Sequence, residues 1–477
     1  MSHIRGVVAG RIPGLLRETR FRRYWCGQTV SLMGDQISLI ALPLVAVVVL
    51  GADVAEMSLL KTVELLPALL LSLPAGSWAD GRARRRRIMI VADLARAALI
   101  ASLPVAYVLG LLTLWQLYGV AFGVGALTVL FDVCNVTVLA AMLPVERYVA
   151  GNSLVVGARS MSWLGGPGLG GVLVQILTAP FALVADAFTY LLSALLLGQV
   201  HAVEPPPSAP EKGHFTAGMR WVVRQPSMRA LFAASGTLQF FNFILQTLFV
   251  LYATQELGLS AGLLGLVLSG GAVGGLLGAA CCGAVVRRAG IGPTIVMGFL
   301  GFTVPLLLVP LARGPEPLSA GLLFVSEFLS CVGVMLADIA AGSFQMALIP
   351  DALRSRVTGA FRTLNYGFRP FGALAGGVLG STLGLRPTLW IATAGAVFGV
   401  GWVIRSPLAR MRGLPSTEYG TPTDYRVPTD YATVVGEVGE VGEVGEAGEG
   451  DRAAPDVVGN AQSGGAPQRE DAWRPGP

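Results

Sequence analysis

Charged residues are scarce in this chain of 477 residues: 13% are Asp, Glu, Lys or Arg, whereas about a quarter is usual in soluble domains. Only two lysines, Lys61 and Lys212, are present. The sequence lacks the Gly-x-x-x-x-Gly-Lys-Ser/Thr loop that holds nucleotide phosphates, and no His-Glu-x-x-His or Ser/His/Asp pattern stands out. These absences argue against an ATP-driven pump and against an enzyme, and we expect no cofactor.

Cysteine and histidine are also rare. The five cysteines lie inside apolar runs and none forms a Cys-x-x-Cys pair, while the three histidines lie outside those runs. This distribution is typical of small buried side chains rather than of disulfides or metal ligands. We therefore expect no metal site.

What the chain does contain is apolar sequence: 53% of its residues are hydrophobic, and long runs of them extend from Tyr24 to Ile404. A spanning helix needs about 20 apolar residues, so this region has room for about twelve spans with short loops. We place the spans at 24–50, 56–79, 87–110, 113–143, 153–177, 180–200, 229–253, 261–285, 292–312, 318–349, 357–383 and 387–405. The sequence thus predicts an all-α membrane protein with twelve transmembrane helices.

Arginines are concentrated in alternate loops. Six precede the first span, and Arg82 to Arg87 contribute five more after the second. Because positively charged loops remain in the cytoplasm, the asymmetry places both termini there, in a multi-pass protein of the cell membrane. Their dispersal among membrane loops argues against a nucleic-acid surface. The expected surroundings are therefore the lipid bilayer, and we expect a monomer.

The loop that starts at Gly76 is echoed 207 positions later, at Gly283. Pro144–Gly151 likewise resembles Pro350–Gly359, and a Gly-Gly pair recurs in the fifth and eleventh spans at about the same separation. Repeats of this kind are typical of transporters whose halves are related by an axis along the membrane normal. The repeat predicts two pseudo-symmetric six-helix bundles.

This organisation divides the chain into five parts. They are an N-terminal arm (1–23), a first bundle (24–200), a linker (201–228), a second bundle (229–405) and a tail (406–477). The linker has three successive prolines, and the tail has a Gly-Glu-Val tract. A tail of this composition cannot bury a core, so we expect it to be disordered and cytoplasmic.

Gly76-Ser77-Trp78-Ala79-Asp80 with the arginines after it resembles the loop motif of the major facilitator superfamily of secondary transporters. Phe21-Arg22-Arg23-Tyr24-Trp25 and Gly166-Pro167-Gly168-Leu169-Gly170-Gly171 resemble its enterobactin-exporter-like branch, which also contains macrolide efflux proteins. The resemblance covers Phe21 to Arg405, although Gly81 stands where the family usually has arginine. It implies the major facilitator fold and proton-coupled export of an amphipathic small molecule, such as a drug, antibiotic or siderophore, with antibiotic resistance as a consequence.

The resemblance also implies a gate at the loop after the second span. In the family the loop acid pairs with loop arginines and holds the outward-open state, and the matching residues are Gly76, Asp80, Arg84 and Arg85. A partly desolvated ion-pair cluster is a suitable two-state latch, because breaking it is costly. The alternative is that the arginines only set topology.

A second family motif lies in the fifth span. Gly166, Pro167, Gly170 and Gly171 match the core of the motif linked to exporters and antiporters, although the glycine spacing upstream is incomplete. Glycines let helices approach closely, and proline kinks a span. The motif therefore indicates export, or it serves helix packing alone.

Carboxyl groups inside predicted spans are candidates for proton coupling, because intramembrane charges are costly and usually functional. The candidates are Asp35, Asp132, Glu327 and Asp338. Asp35 is our first choice, since no basic residue lies near it in sequence; the alternative is an acid bonded to neighbouring helices. By contrast, Glu64 is a weaker candidate, because Lys61 three residues before it can neutralise its charge. Asp186, and Asp93 with Arg96, resemble structural positions of the family.

The family places its first, fourth, seventh and tenth helices around a central cavity. The candidate cavity residues are Asn135, Gln239, Asn242, Gln246, Phe240, Phe243, Arg159 and Arg369. Three of them, Gln239, Asn242 and Gln246, form an α-helical stripe that we call the amide stripe. Amides and aromatic faces suit a bulky, partly polar compound, unless the amides bond neighbouring helices instead. An importer or a lipid-moving permease of the same fold remains the alternative function.

Overall fold

The computed structural model describes residues 14–80, 82, 84–200, 221–349 and 354–413, which contain twelve long helical segments. The first six are α1 (Thr19–Leu44, continued by a π-helical turn at Val45–Val49), α2 (Val54–Asp80), α3 (Arg85–Val108), α4 (Leu114–Met142), α5 (Val145–Leu177) and α6 (Ala179–Gly198). The second six are α7 (Pro226–Leu251, continued by Tyr252–Glu256), α8 (Ala261–Ala289), α9 (Ile291–Thr303, continued by Pro305–Leu307 and Leu308–Leu311), α10 (Glu316–Leu348), α11 (Arg354–Leu383) and α12 (Leu385–Gly399, continued by Gly401–Ile404).

Each segment coincides with one predicted span, and the largest difference is at the start of α5. That helix begins at Val145, eight residues before the predicted 153, and Pro144 stands just before it. Proline is tolerated at this position because the first backbone N–H groups of a helix have no intrahelical partner. The predicted all-α membrane fold is confirmed. Most of the linker, and the tail from residue 414 onward, lie outside the described residues. The first residues of the predicted tail are described, and Pro407–Arg410 form a 3-10 turn in which Leu408 is buried.

Nine helices in the described ranges are long and apolar enough to cross a membrane. The other three long segments are α2, α5 and α11. Helices α5 and α10 have 33 residues each, or about 50 Å at 1.5 Å per residue. Because a bilayer core is about 30 Å thick, both must tilt or project beyond it.

The halves repeat one another closely. Helices α4, α5 and α6 end 206 residues before α10, α11 and the last turn of α12. In the first half α1 packs on α5 and α6, and α4 packs on α2 and α3; in the second half α7 packs on α11 and α12, and α10 on α8 and α9. The halves meet where α2 crosses α11 and where α5 crosses α8.

We call the end at which α1 begins and α12 finishes the proximal end, and the opposite end the distal end. One hydrophobic core, which includes Leu44 and Val45 of α1 and Leu248 and Tyr252 of α7, joins both halves toward the distal end. A second core, with Phe21, draws only on the first half and lies toward the proximal end. Among the described residues, the apolar core that the halves share therefore lies toward the distal end.

Helix α5 shows how the halves separate. Its residues Gly168 and Gly171 touch α8, near Ser269 and Gly265 respectively. Gly157 is 11 residues before Gly168, about three helical turns, and so lies on the same face of α5. Nevertheless a Cβ on Gly157 would meet nothing within 4 Å. The two helices thus diverge toward the proximal end, and we call the space between them there the proximal opening.

Candidate functional site

Asp35, in the middle of α1, accepts a hydrogen bond from the Tyr190 hydroxyl of α6, with 2.6 Å between the oxygens. The guanidinium of Arg96, on α3, lies 4.5 Å from the centroid of the buried Tyr190 ring. Arg96 also lies 4.5 Å from the Phe131 ring of α4 and forms an ion pair with Asp93. Packing thus brings an arginine close to Asp35, although none is close in sequence.

A second carboxyl lies beside this group. Asp186, on α6, accepts hydrogen bonds from Ser38 of α1 and from Thr189, the latter at 3.2 Å. It reaches α1 at Gly34, where a Cβ would collide with both Asp186 and Thr189. The missing side chain of Gly34 therefore allows Asp186 to lie against α1, one residue from Asp35.

Asp132 of α4 has a different environment. It forms an ion pair with Arg159 of α5 at 3.5 Å, and the two side chains are 42% and 48% exposed. Charges of this exposure on a lipid-facing surface would be costly, so we place the pair at the proximal opening. Asn135, one turn later, is instead buried. Its side-chain oxygen accepts a 2.5 Å hydrogen bond from the Tyr24 hydroxyl, and its side-chain nitrogen donates to Gln28.

Glu327 and Asp338 are eleven residues apart on α10, about three helical turns, and so lie on one face of it. Glu327 is half-buried near Gly271 of α8, and Asp338 is exposed. Within the described residues neither carboxylate has a hydrogen bond or an ion pair. Asp338 lies 206 residues after Asp132, so the two acids occupy equivalent positions in the repeat. The position equivalent to Arg159 is Asn365, which leaves the second half without the matching ion pair.

The side chains of the amide stripe of α7 differ in solvent exposure: Gln239 and Asn242 are half-buried, and Gln246 is exposed. Phe240 is half-buried and packs edge-on against Phe241, with 5.2 Å between centroids. The α7 side chains thus offer polar and aromatic surface on neighbouring turns.

Phe243 of α7 is buried and does not belong to this accessible surface. The guanidinium of Arg369, on α11, lies 5.0 Å from its ring centroid and 4.2 Å from that of Tyr366. The predicted cavity residues Phe243 and Arg369 therefore pack on each other, which holds the Arg369 guanidinium between two aromatic rings.

The α5 motif forms two contacts with different partners. Gly166 and Gly170 lie against Gln36 and its neighbour on α1, so they serve packing inside the first half. Gly171 lies against Gly265 of α8, where a Cβ on Gly171 would be 2.5 Å from the Gly265 Cα. Pro167 places its carbonyl oxygen at the same crossing. The motif therefore brings the backbones of the two halves into direct contact.

The other crossing between halves contains a hydrogen bond that our sequence analysis missed. The buried Ser58 hydroxyl of α2 donates to the Ala373 carbonyl of α11 at 2.7 Å. Gly377 lies beside Ser58 and is 206 residues after Gly171, its counterpart in the repeat. Ser58 is 207 residues before Gly265, which is its counterpart at the α5–α8 crossing. The repeat offset could therefore have identified Ser58 as a crossing residue.

The loop after α2 is described only in part. The side chain of Asp80 and the surroundings of Gly76 are outside the described part of the structure, so the predicted pairing of Asp80 stays a prediction. Arg84 is exposed and Arg85 is buried. Arg82 stacks over the Trp78 ring at 4.6 Å.

Arg86 has a role that the sequence did not indicate. Its guanidinium donates to carbonyl oxygens at the C-terminal end of α6, at Val200, at Gly198 (3.2 Å) and at Leu197 (3.4 Å). A cation at a helix C-terminus satisfies carbonyls that lack an intrahelical partner. Arg86 thus fixes the end of α6 that leads into the linker.

Several smaller predictions can be checked against the contacts. The ion pairs Lys61–Glu64, at 3.1 Å, and Asp93–Arg96 are confirmed. The prediction that the cysteines are buried is wrong for Cys281, which is exposed on α8. The described residues contain no group of His, Cys, Asp and Glu able to hold a metal ion.

Two six-helix halves that meet at one end, diverge at the other and carry charged groups between them define a membrane transporter rather than an enzyme. Residues 24–372 match the family model of the Major Facilitator Superfamily, and the chain belongs to that family. This membership confirms the resemblance that the loop and the glycine motif indicated.

Among characterised relatives, the multidrug efflux pump Tap of Mycolicibacterium fortuitum is 26% identical over 382 residues, which are 74% of this chain and 88% of Tap. A bacterial homologue of the iron transporter ferroportin, solved in an inward-facing state, has a TM-score of 0.65 at 17% identity and covers 82% of this chain and 99% of its own. The nucleoside transporter NupG has a TM-score of 0.63 at 12% identity, with coverages of 80% and 98%. At these identities the two structures show the fold alone.

Proposed function

We propose that the protein exports an amphipathic small molecule from the cytoplasm in exchange for protons. The observation that carries this proposal is Asp35, a half-buried carboxyl in the middle of a spanning helix. A carboxyl at that depth can take up a proton from one side and release it to the other. Asp132, Glu327 and Asp338 are further candidates, and their exposure suits sites reached from the opening.

The substrate class follows from the α7 surface and from Tap. The amide stripe donates and accepts hydrogen bonds without fixed charge, and Phe240 adds apolar contact. Such a surface suits a drug, an antibiotic or another secondary metabolite better than an inorganic ion. A relative named as a multidrug efflux pump supports the same class and makes antibiotic resistance a consequence of export.

The orientation follows from the arginines. Arg17, Arg20 and Arg22 are exposed at the proximal start of the chain, and Arg87 is exposed after α2. Positive residues favour the cytoplasmic face, so we place the proximal end and both termini in the cytoplasm, with the protein in the cell membrane. The proximal opening then faces the cytoplasm, as required for loading an exported molecule.

Export requires the halves to rock so that the proximal end closes and the distal end opens. We assign Asp80, with Arg84 and Arg85, to a latch at the proximal end that holds the closed position. The loop is at the correct end, since α2 finishes there at Asp80. Partly desolvated ion pairs form and break as a unit, which suits a two-position device.

Accumulation of ethidium in everted membrane vesicles energised by respiration tests the proposal. The Asp35→Asn variant should lose gradient-driven accumulation while keeping its amount in the membrane. The matched control is Asp53→Asn, at a distal loop where Asp53 accepts a 2.8 Å hydrogen bond from the Glu56 backbone. Asparagine caps a helix as well as aspartate does, so the control should transport normally.

Wild-type accumulation in the Asp35→Asn variant would refute the role of Asp35 and favour Glu327 or Asp338. Two other outcomes would refute export itself. Uptake of the compound into right-side-out vesicles, driven by an inward proton gradient, would show an importer. Movement of labelled phospholipid with no efflux of soluble compounds would show a lipid permease.

A further inference from the structure

Five side chains from three helices form a buried group in the first half, which we call the carboxyl cluster. Its members are Asp35 on α1, Asp93 and Arg96 on α3, and Asp186 and Tyr190 on α6. Asp93, Asp186 and Tyr190 are at most 2% exposed, and so is Arg96. Asp35 is the exception, since it is half-buried. The cluster is therefore sealed except at Asp35.

The charges in this cluster do not balance. Three carboxyls surround one guanidinium, and Arg96 forms its ion pair with Asp93. The nearest charges on other packed helices are Asp132 of α4 and Arg159 of α5, which neutralise each other. Burying an uncompensated carboxylate is strongly unfavourable. Asp35 and Asp186 thus need two further positive charges, and protons can supply them.

One buried donor in the cluster has no partner. Arg96 Nε is buried, and in the described part of the chain it has no hydrogen-bond partner. Ser193 on α6 lies beside Asp93, where its hydroxyl can donate to the carboxylate. Buried polar groups are nearly always satisfied, so a water between α3 and α6 can accept from Arg96.

From this arrangement we propose that Asp35 and Asp186 form one two-carboxyl proton-binding unit, with Asp35 reached from the opening and Asp186 sealed behind it. The proposal rests on the proposed proton-coupled export and names the second carboxyl of that site. Each carboxylate takes one proton from water on one side of the membrane and returns it on the other, and no other bond changes. Arg96 is a positioning residue, held by Asp93 and by the Tyr190 ring.

Hydrogen bonds support the pairing. Tyr190 donates to Asp35 at 2.6 Å, and Ser38 and Thr189 donate to Asp186. Hydroxyls can both donate and accept, so they serve each carboxyl with or without its proton. Residues from α1 and α6 thus solvate both groups in place of water.

Direct proton counting tests the unit without a transported substrate. The full-length protein in detergent is titrated with acid between pH 9 and pH 5, in the presence of an indicator dye. Compared with the wild type, Asp35→Asn and Asp186→Asn should each bind one proton fewer, and the double variant two fewer. The titration uses protons alone, so it does not depend on the identity of the exported compound.

The outcomes separate this inference from the proposed function. If Asp186→Asn titrates like the wild type while Asp35→Asn loses one proton, the two-carboxyl unit is refuted and proton coupling through Asp35 stands. If neither variant loses a proton, both ideas are refuted. A loss in Asp186→Asn alone would also refute the unit, since it would leave Asp35 without a proton.

Gly34→Ala provides a test that keeps every carboxyl. Its Cβ would collide with Asp186 and Thr189, and so separate Asp186 from α1. The control is Gly27→Ala on the same α1–α6 contact, where the nearest atoms would be at an ordinary 3.5 Å. Gly34→Ala should slow proton-driven ethidium efflux by about tenfold or more, as small displacements in a site do, and Gly27→Ala should not.

Both glycine variants must elute from a sizing column like the wild type, which excludes misfolding as the cause. Gly34→Ala with normal efflux and a normal proton count would show that Asp186 need not lie against α1. That result would overturn the proposed unit even if Asp186→Asn failed to fold.

Discussion

Removal of one hydroxyl should weaken the closure of the distal end. Ser58 donates a 2.7 Å hydrogen bond across the halves to the Ala373 carbonyl, and the serine is 3% exposed. This bond exists only while α2 and α11 are in contact at this crossing, so it stabilises the distal-closed state alone. Ser58→Ala should therefore shift the population toward the distal-open state.

The size of the shift follows from the value of one buried hydrogen bond. A net contribution of about 1 kcal/mol corresponds to about a fivefold change in an equilibrium constant. The loss in free energy should not exceed this value, because Ala373 lies inside α11 and its carbonyl keeps its helical environment. The distal-open fraction should rise about fivefold when that fraction is small in the wild type.

Labelling of a distal cysteine measures this fraction. Val47 is 6% exposed in the distal core that both halves share. A Val47→Cys variant, with the native cysteines replaced by serine, should therefore react faster with a membrane-impermeant maleimide when the halves part. The matched control is Ser381→Ala, since Ser381 is exposed and bonds only within its own helix, to Val378. An unchanged labelling rate in Ser58→Ala, or an equal rise in Ser381→Ala, would refute the reasoning.

Three further predictions concern the other contacts. Gly171→Ala should reduce efflux and destabilise the distal-closed state by about 1–3 kcal/mol, because its Cβ would meet the α8 backbone. The control is Gly165→Ala, which should be neutral or stabilising because a Cβ at Gly165 would lie in open space. Arg86→Ala should lower the melting temperature of the protein in detergent, because about 1–2 kcal/mol of stabilisation at the end of α6 is lost. Arg87 is exposed, so Arg87→Ala should not lower it, and equal melting temperatures of the two variants would contradict this. Alanine substitutions along the amide stripe should change efflux differently from one compound to another; equal losses for all compounds with reduced stability would indicate packing.

The fold could be predicted because its determinants are local. Runs of apolar residues specify spanning helices, and a spacing of three residues specified the pairs Lys61–Glu64 and Asp93–Arg96. None of these inferences requires knowledge of how one helix is rotated against another. For the same reason the helix ends were less accurate than the helices themselves.

The site could be predicted only as a set of candidates. Asp35 was singled out because no basic residue lies near it in sequence, yet Tyr190, 155 residues away, places Arg96 close to it. Asn135 was expected at the cavity, but a hydrogen bond from Tyr24 holds it inside the first half. Such contacts depend on the rotation and register of packed helices, which hydropathy does not encode.

The repeat provides part of the missing information. Positions separated by 206 or 207 residues occupy equivalent places, so Asp132 predicts where Asp338 lies, and the crossing at Gly171 predicts the crossing at Gly377. The repeat cannot predict which interactions each of two equivalent residues makes. Asp132 has a cationic partner in Arg159, whereas Asp338 has none in the described residues.

The same divergence distinguishes the two crossings between halves. At one, Gly171 and Gly265 bring backbones together with no side chain between them; at the other, Ser58 adds a hydrogen bond to Ala373. The α5–α8 crossing has its own hydrogen bond about one turn away, because the Gly262 backbone N–H of α8 donates to the Gln175 side-chain oxygen of α5 at 3.0 Å. Duplication thus supplies two equivalent contacts, and a side-chain hydrogen bond between the halves reinforces each of them at a different position of the repeat.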